Sequence, residues 1–166
     1  MVGNVFLCNI YSISIIMNFH FEFIIVLKIL GAFLAGGFIG FDRERQGQDA
    51  GMRTYAAVCL GAALFTAIAE HLNDIAASSR IVSNIIVGIG FLGAGIIYKD
   101  QVNNRSTGLT TAATIWCTAA IGITIGMDLY IISAVATIAL YLLLSLPNYH
   151  WYRNWINRIK KNDPGS

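Results

Sequence analysis

Charge is scarce in this 166-residue chain: Asp, Glu, Lys and Arg make up 12% of it, against a hydrophobic share of 56% and a mean hydropathy of +0.64. A soluble globular domain carries about twice that charge, so the scarcity argues for a membrane protein. The net charge of +2 gives no basis for nucleic-acid binding. Cysteine is also thin. Cys8, Cys59 and Cys117 lie in apolar stretches without C-x-x-C spacing, which reads as buried small side chains and indicates neither a disulfide framework nor a zinc site. His20, His71 and His150 are scattered, without carboxylates at ligand spacing, so no metal or other cofactor is assigned. The chain has no paired nucleophile and base, no H-E-x-x-H and no P-loop, and enzymatic activity is not expected.

What the chain has is apolar runs. Five of them predict an all-α, polytopic membrane protein with transmembrane helices over 24–41, 55–69, 81–98, 109–126 and 129–146. At 1.5 Å per residue most reach about 27 Å, enough for a thin bilayer, and backbone groups in hydrocarbon must be satisfied within the segment. Residues 1–23 form an apolar leader. Val2 to Met17 lack the basic start of a signal peptide and fall short of the roughly 18 residues that read as a span. Met17 as the true start, or a short re-entrant or interfacial segment, are the two readings of that leader.

Arg43, Arg45, Arg53, Lys99, Arg105, Arg153, Arg158, Lys160 and Lys161 fall in the loops and tail of one side, and only Arg80 on the other. The positive-inside rule then places the N-terminus outside and the C-terminus in the cytoplasm. Lys28, within the first span, is expected to snorkel to the outer interface. Residues 147–166 form a cytoplasmic tail. On a helix its Trp151 and Trp155 share one arc while Arg153, Arg158, Lys160 and Lys161 fill the other, the pattern of an amphipathic helix lying on membrane lipids.

Gly88, Gly90 and Gly93 spell G-x-G-x-x-G, but inside an uncharged run from Ile81 to Tyr98, so they are read as helix packing and not as a dinucleotide site. Gly88 and Gly95 share one face with Asn84, and Gly90 and Gly93 the other, which predicts a third helix gripped on both sides. A 57-residue offset aligns Gly31 with Gly88, Gly36 with Gly93, Gly51 with Gly108 and Thr54 with Thr111. The first two spans therefore read as a duplicate of the next two, a parallel hairpin repeat. The repeat equates Arg53 with Thr110, each opening the second helix of its hairpin, where free N–H groups favour an anion or a carboxylate; simple capping by Gly51 or Gly108 and by threonine is the alternative. Thr110, Thr114, Thr118, Gly122 and Gly126 recur every four residues and read as packing with hydroxyls bonded back to their own helix. Asp42, at the end of the first span, is expected to pair with Arg43 or Arg53, while Glu44 and Arg45 are expected in solvent.

Gly40-Phe41-Asp42-Arg43, Ala50-Gly51-Met52-Arg53-Thr54, Gly88-Ile89-Gly90-Phe91-Leu92-Gly93-Ala94-Gly95 and Gly108-Leu109-Thr110-Thr111-Ala112-Ala113-Thr114-Ile115-Trp116, in this order, resemble the MgtC/SapB family of bacterial inner-membrane proteins, over about residues 24–146. The resemblance implies a multi-pass protein of magnesium limitation and, in pathogens, of survival inside macrophages. It further implies a modulator acting on the membrane sector of the F-type ATP synthase. The family's Glu-Arg pair falls on Asp42 and Arg43, its G-L-R-T arginine on Arg53, its polar position after Gly-Leu on Thr110 and its W-C cysteine on Cys117. Asn84 stands where glutamine is frequent, residues 103–107 make a slightly longer loop, and the soluble regulatory domain of many members is not expected within these residues, which read as a short member or as the membrane half of a longer one.

The functional polar cluster expected from these readings is Asp42, Arg43, Arg53, Asn84, Thr110, Thr111 and Cys117, with Gly36, Gly40, Gly88, Gly90, Gly93 and Gly95 as packing residues. Two functions follow. One is a non-enzymatic modulator, a homodimer or higher oligomer adjusting another membrane complex. The other is a small ion or anion transporter or channel built from the two hairpins.

Overall fold

The computed structural model describes residues 2–72, 74–100, 105–150, 154 and 158. Five helices carry the fold: α1 (Val2–Arg45), α2 (Met52–His71), α3 (Ile75–Ile96), α4 (Leu109–Gly126) and α5 (Tyr130–Ser145), the last running into a short 3-10 turn, Leu146–Asn148. Four stretches, Phe21–Arg45, α2, α3 and α4, are long and apolar enough to cross a membrane; α5 is a shorter apolar helix of 16 residues. Consecutive helices run antiparallel, so one end of the bundle gathers Arg43, Met52, Leu109 and Ser145. The other gathers Lys28, His71, Ile75 and Asp128. Phe21 stacked on His71 (3.9 Å between ring centroids) fixes the latter end, and Phe38 against Tyr141 (4.8 Å) lies toward the former.

The predicted third span gives way before Tyr98. A two-stranded antiparallel hairpin, β1 (Tyr98–Asp100) and β2 (Arg105–Thr107), pairs Tyr98 with Thr107 and Lys99 with Ser106 in place of a loop. Its three-residue strands, Tyr-Lys-Asp and Arg-Ser-Thr, are almost wholly polar and too short for any period-2 signal to stand out from the sequence. The leader is not a separate segment either, since α1 runs unbroken from Val2. Of the tail, Asn154 and Arg158 are helical and exposed; Trp151, Arg153, Trp155, Lys160 and Lys161 lie outside the described residues.

Where helix meets helix, lipid offers no hydrophobic drive, and close approach of backbones must supply the attraction. Glycine makes it possible at two seams. On α1, a Cβ at Gly36 would stand 2.8 Å from Cys59 Cβ and one at Gly40 would stand 2.6 Å from Met52 Cα. On α4, a Cβ at Gly122 would strike the Cys59 carbonyl oxygen, and one at Gly126 would stand 2.6 Å from Thr66 Cβ. α2 is thus held between α1 and α4, and the core follows this sandwich: Tyr55, Cys59 and Ala63 of α2 with Ile39 of α1, Ile115, Ile121 and Ile125 of α4, and Leu140 and Leu144 of α5.

The third helix departs from expectation. Gly93 alone of its residues is buried, 3.6 Å from Ala112 Cβ for an added methyl, while Gly88, Gly90 and Gly95 have open space where a Cβ would go. It is gripped on one side only, because helical spacing tells which residues share a face but not which face meets a neighbour. The repeat fares better. Met52 and Leu109 open their helices at the 57-residue offset, and Gly36 against Tyr55 recurs as Gly93 against Ala112 at the same offset.

The two classes of glycine should respond differently to one methyl group. Gly122→Ala and Gly40→Ala are each expected to cost about 1–3 kcal/mol through overpacking, whereas Gly88→Ala should be neutral or stabilise by up to about 1 kcal/mol. Reversible unfolding in mixed micelles measures both, and equal losses at all three positions would refute the assignment of seams.

Candidate functional site

Polar groups are buried at both ends of the bundle. At the Arg43 end, the start of α2 is closed by Glu44, whose Oε2 accepts from the Met52 N–H at 2.9 Å. This carboxylate at a helix N-terminus answers the expectation of an anion or carboxylate there, and Glu44 makes the bond while exposed, as expected of it. α4 begins at Gly108, in the left-handed conformation (φ 83°) that glycine adopts without strain, and among the described residues no side chain caps it.

Arg43 lies between these helix starts and is only 5% exposed. It does not pair with Asp42. Its guanidinium donates to Gln46 Oε1 (3.3 Å), Gln48 Oε1 (2.9 Å) and Thr111 Oγ1 (3.3 Å), and its Nε is buried without a partner. Asp42 instead accepts from the Gln46 amide at 2.7 Å, so the expected Asp42–Arg43 lock is replaced by a glutamine bridge. Gln46 and Gln48 are within reach because the chain turns tightly after α1, through Gly47 at φ 69°.

Deeper in, the Tyr55 and Thr114 hydroxyls lie 2.7 Å apart, both groups fully or nearly fully buried. Thr114 Oγ1 also bonds to the Thr110 carbonyl oxygen at 2.9 Å, and Thr118 Oγ1 donates to the Thr114 carbonyl at 2.8 Å. The four-residue row of α4 is therefore back-bonded, as its spacing predicts. A buried file of Arg43, Thr111, Thr114 and Tyr55 results.

The structure brings Arg43 and Thr111 of the expected cluster together, with Thr110 beside them through its carbonyl and Asp42 through Gln46. Arg53 and Thr110 are exposed in the first turns of their helices. Cys117 packs half-buried against the core. Asn84 stands apart, in an apolar groove of about 570 Å³ between α2 and α3 with Phe65, Gly88 and Leu92. Tyr55, Gln46 and Gln48 were not expected; a phenol in an apolar run was the one available signal for Tyr55, and the glutamines carried none.

At the other end Lys28 overturns the snorkelling expectation. It is 6% exposed and donates from Nζ to the Gly126 carbonyl and to Asp128 Oδ2, both at 2.8 Å. Asp128 is placed by the C-terminus of α4. Its φ of 62° and the bonds from Asp128 N to Ile125 O and Leu129 N to Thr124 O form a Schellman cap with aspartate in the left-handed position. Tyr130 donates to its other oxygen at 2.6 Å. An ionisable residue inside a span is by default a partnered one, and that rule alone pointed to this pair. Partial burial raises the Asp128 pKa, but the bonds from Lys28 and Tyr130 and the lysine's charge outweigh it and hold the carboxyl below its ordinary value of 3.8.

The MgtC family profile matches residues 29–150. Among curated proteins, the chain is 46% identical to Protein MgtC of Brucella abortus over 110 residues, which is 66% of this chain and 45% of that protein. It is 42% identical to Protein MgtC of Salmonella typhimurium over 113 residues (68% and 48%). With Protein SrpB of Synechococcus elongatus the identity is 40% over 148 residues (80% and 81%). The chain spans about half the length of the MgtC relatives it matches. No solved structure matches it.

Two measurements follow from this geometry. Tyr55→Phe removes one buried hydroxyl pair and should cost about 1 kcal/mol, with Thr114→Val costing a similar amount and the double variant less than the sum; additive losses would show that the two hydroxyls act separately. Because the folded Asp128 value is depressed, its contribution is full above pH 3.8 and is lost as pH falls through the lower folded value. The Lys28–Asp128 tie should thus hold unchanged from pH 7 to about pH 5, and Asp128→Asn should reduce stability equally at both; a loss of the difference at pH 5 would contradict it.

Proposed function

The chain belongs to the MgtC family, and on that premise we propose that it is a non-enzymatic modulator of another membrane complex in adaptation to magnesium limitation or acid stress, and in virulence. It sits in the bacterial cytoplasmic membrane as a homodimer or higher oligomer, N-terminus outside and C-terminus in the cytoplasm. The membrane sector of the F-type ATP synthase is the partner to test first.

The observation that carries this reading is the unequal packing of the helices. α2 and α4 are enclosed, whereas α3 buries Gly93 alone and leaves the groove with Asn84 and Gly88 uncovered by the described residues. A span with small residues on an open face suits helix–helix association in lipid. The buried file from Arg43 through Thr111, Thr114 and Tyr55 favours the transporter reading, since it lines polar groups inward from one end. Against it, the file stops at Thr118, whose hydroxyl turns back on its own helix, and the segment of α4 from Ala119 to Gly126 carries only apolar and small residues apart from Thr124.

Affinity purification in native lipid, followed by vesicle reconstitution, separates the two. The modulator reading predicts a stoichiometric membrane partner, weakened by leucine at Gly88 but not by alanine at Trp116, and no flux of magnesium, protons or phosphate. Recovery of the chain alone, or measurable flux, would overturn it.

A further inference from the structure

A cavity of about 480 Å³ opens at the Arg43 end, walled by Gln48, Asp49, Thr54, Tyr98, Gly108 and Thr111 among others. One wall is the start of α4, an 18-residue helix with no side-chain cap among the described residues, whose leading N–H groups have no intrahelical acceptors and carry its positive dipole end. Directly behind lies Arg43. Its guanidinium reaches two of the lining groups, Gln48 Oε1 and Thr111 Oγ1, and a third acceptor in Gln46, and all three are neutral.

Among the described residues no carboxylate stands within ion-pair distance of Arg43, and its buried Nε bonds to nothing. A charge held that deep without a counter-ion is unfavourable unless an anion completes the site. The hydroxyls favour one. Thr111 Oγ1 accepts from Arg43, so its own proton is free to donate toward the cavity, and Thr54 presents a second hydroxyl with no partner among the described residues. Asp49 is exposed at the mouth and is the group that opposes an anion.

We propose that this cavity binds a phosphate-type oxyanion, held by the start of α4 and the Thr54 and Thr111 hydroxyls, with Arg43 behind them as its counter-charge. The volume exceeds that of inorganic phosphate and accommodates a phosphate ester, so a soluble phosphate and a lipid headgroup share the required chemistry. Binding would tie α2, through Thr54, to the start of α4, beside the existing bond from Arg43 of α1 to Thr111. The site stands independently of whether the chain modulates a partner.

The test is a titration of the whole chain with inorganic phosphate in a maltoside detergent, which contains no phosphate group, followed by isothermal calorimetry. Saturable binding at one site per chain is expected. Arg43→Gln should weaken it about tenfold or more, through loss of the counter-charge behind the site, and Asp49→Asn should tighten it. Arg43 is buried and its variant could unfold, so circular dichroism accompanies each protein and the exposed Asp49→Asn, with Thr111→Val, decides the matter if Arg43→Gln does not fold. Adding phosphatidylglycerol then identifies the source. Loss of phosphate binding marks a headgroup site and unchanged binding a soluble anion, and both outcomes support the cavity. No saturable binding, or the same affinity in the wild type and every folded variant, overturns the proposal.

Discussion

Everything in this bundle depends on α2 lying between two helices at backbone distance. In a lipid solvent the apolar surfaces of α1, α2 and α4 gain nothing from leaving the surroundings for one another, so cohesion rests on dispersion and on the absence of side chains at the crossing points. Gly36 and Gly40 provide this on α1, and Gly122 and Gly126 on α4. The polar groups come second. Tyr55 and Thr114 bond because Gly122 lets α2 and α4 come so close, and Lys28 reaches the Gly126 carbonyl at the same seam.

The two ends of the bundle are finished by different chemistry. At the Lys28 end, a lysine, an aspartate in a Schellman cap and a tyrosine form a closed set in which every charge has its opposite. At the Arg43 end, a guanidinium rests on neutral oxygens beside an uncapped helix start. Lys28 is electrostatically satisfied by the chain itself, whereas Arg43 has no carboxylate within ion-pair distance among the described residues, which concentrates interest on Arg43, Thr111 and the cavity beside them. α3, attached through Gly93 and the contacts of Val82, Ile85 and Ile89, is the helix with the most uncovered surface.

Much of the architecture was legible because local physics writes it directly. Apolar runs of span length, the offset that aligns Gly51 with Gly108, and threonines spaced to bond back along α4 are short-range patterns, and each reappears in the structure. The candidate site was legible in part. Arg43 and Thr111 were singled out separately, but the bond that joins them spans 68 residues and Lys28 to Asp128 spans 100, distances over which no periodicity carries information. Gly88, Gly90 and Gly95 were misread for the same reason: their spacing on the helix was right, and their neighbours were unknown.

By itself the sequence determined that the chain is a helical membrane protein, where its helices turn, which of them repeat, and which family it joins, since these follow from hydropathy, capping and motif order. Tertiary structure decided which glycines bring backbones together, that Lys28 is buried against Asp128 rather than raised to the interface, and that Arg43 has no carboxylate beside it among the described residues. The physical reason is that a helix fixes the directions of its side chains, while only packing against another helix fixes what each direction meets.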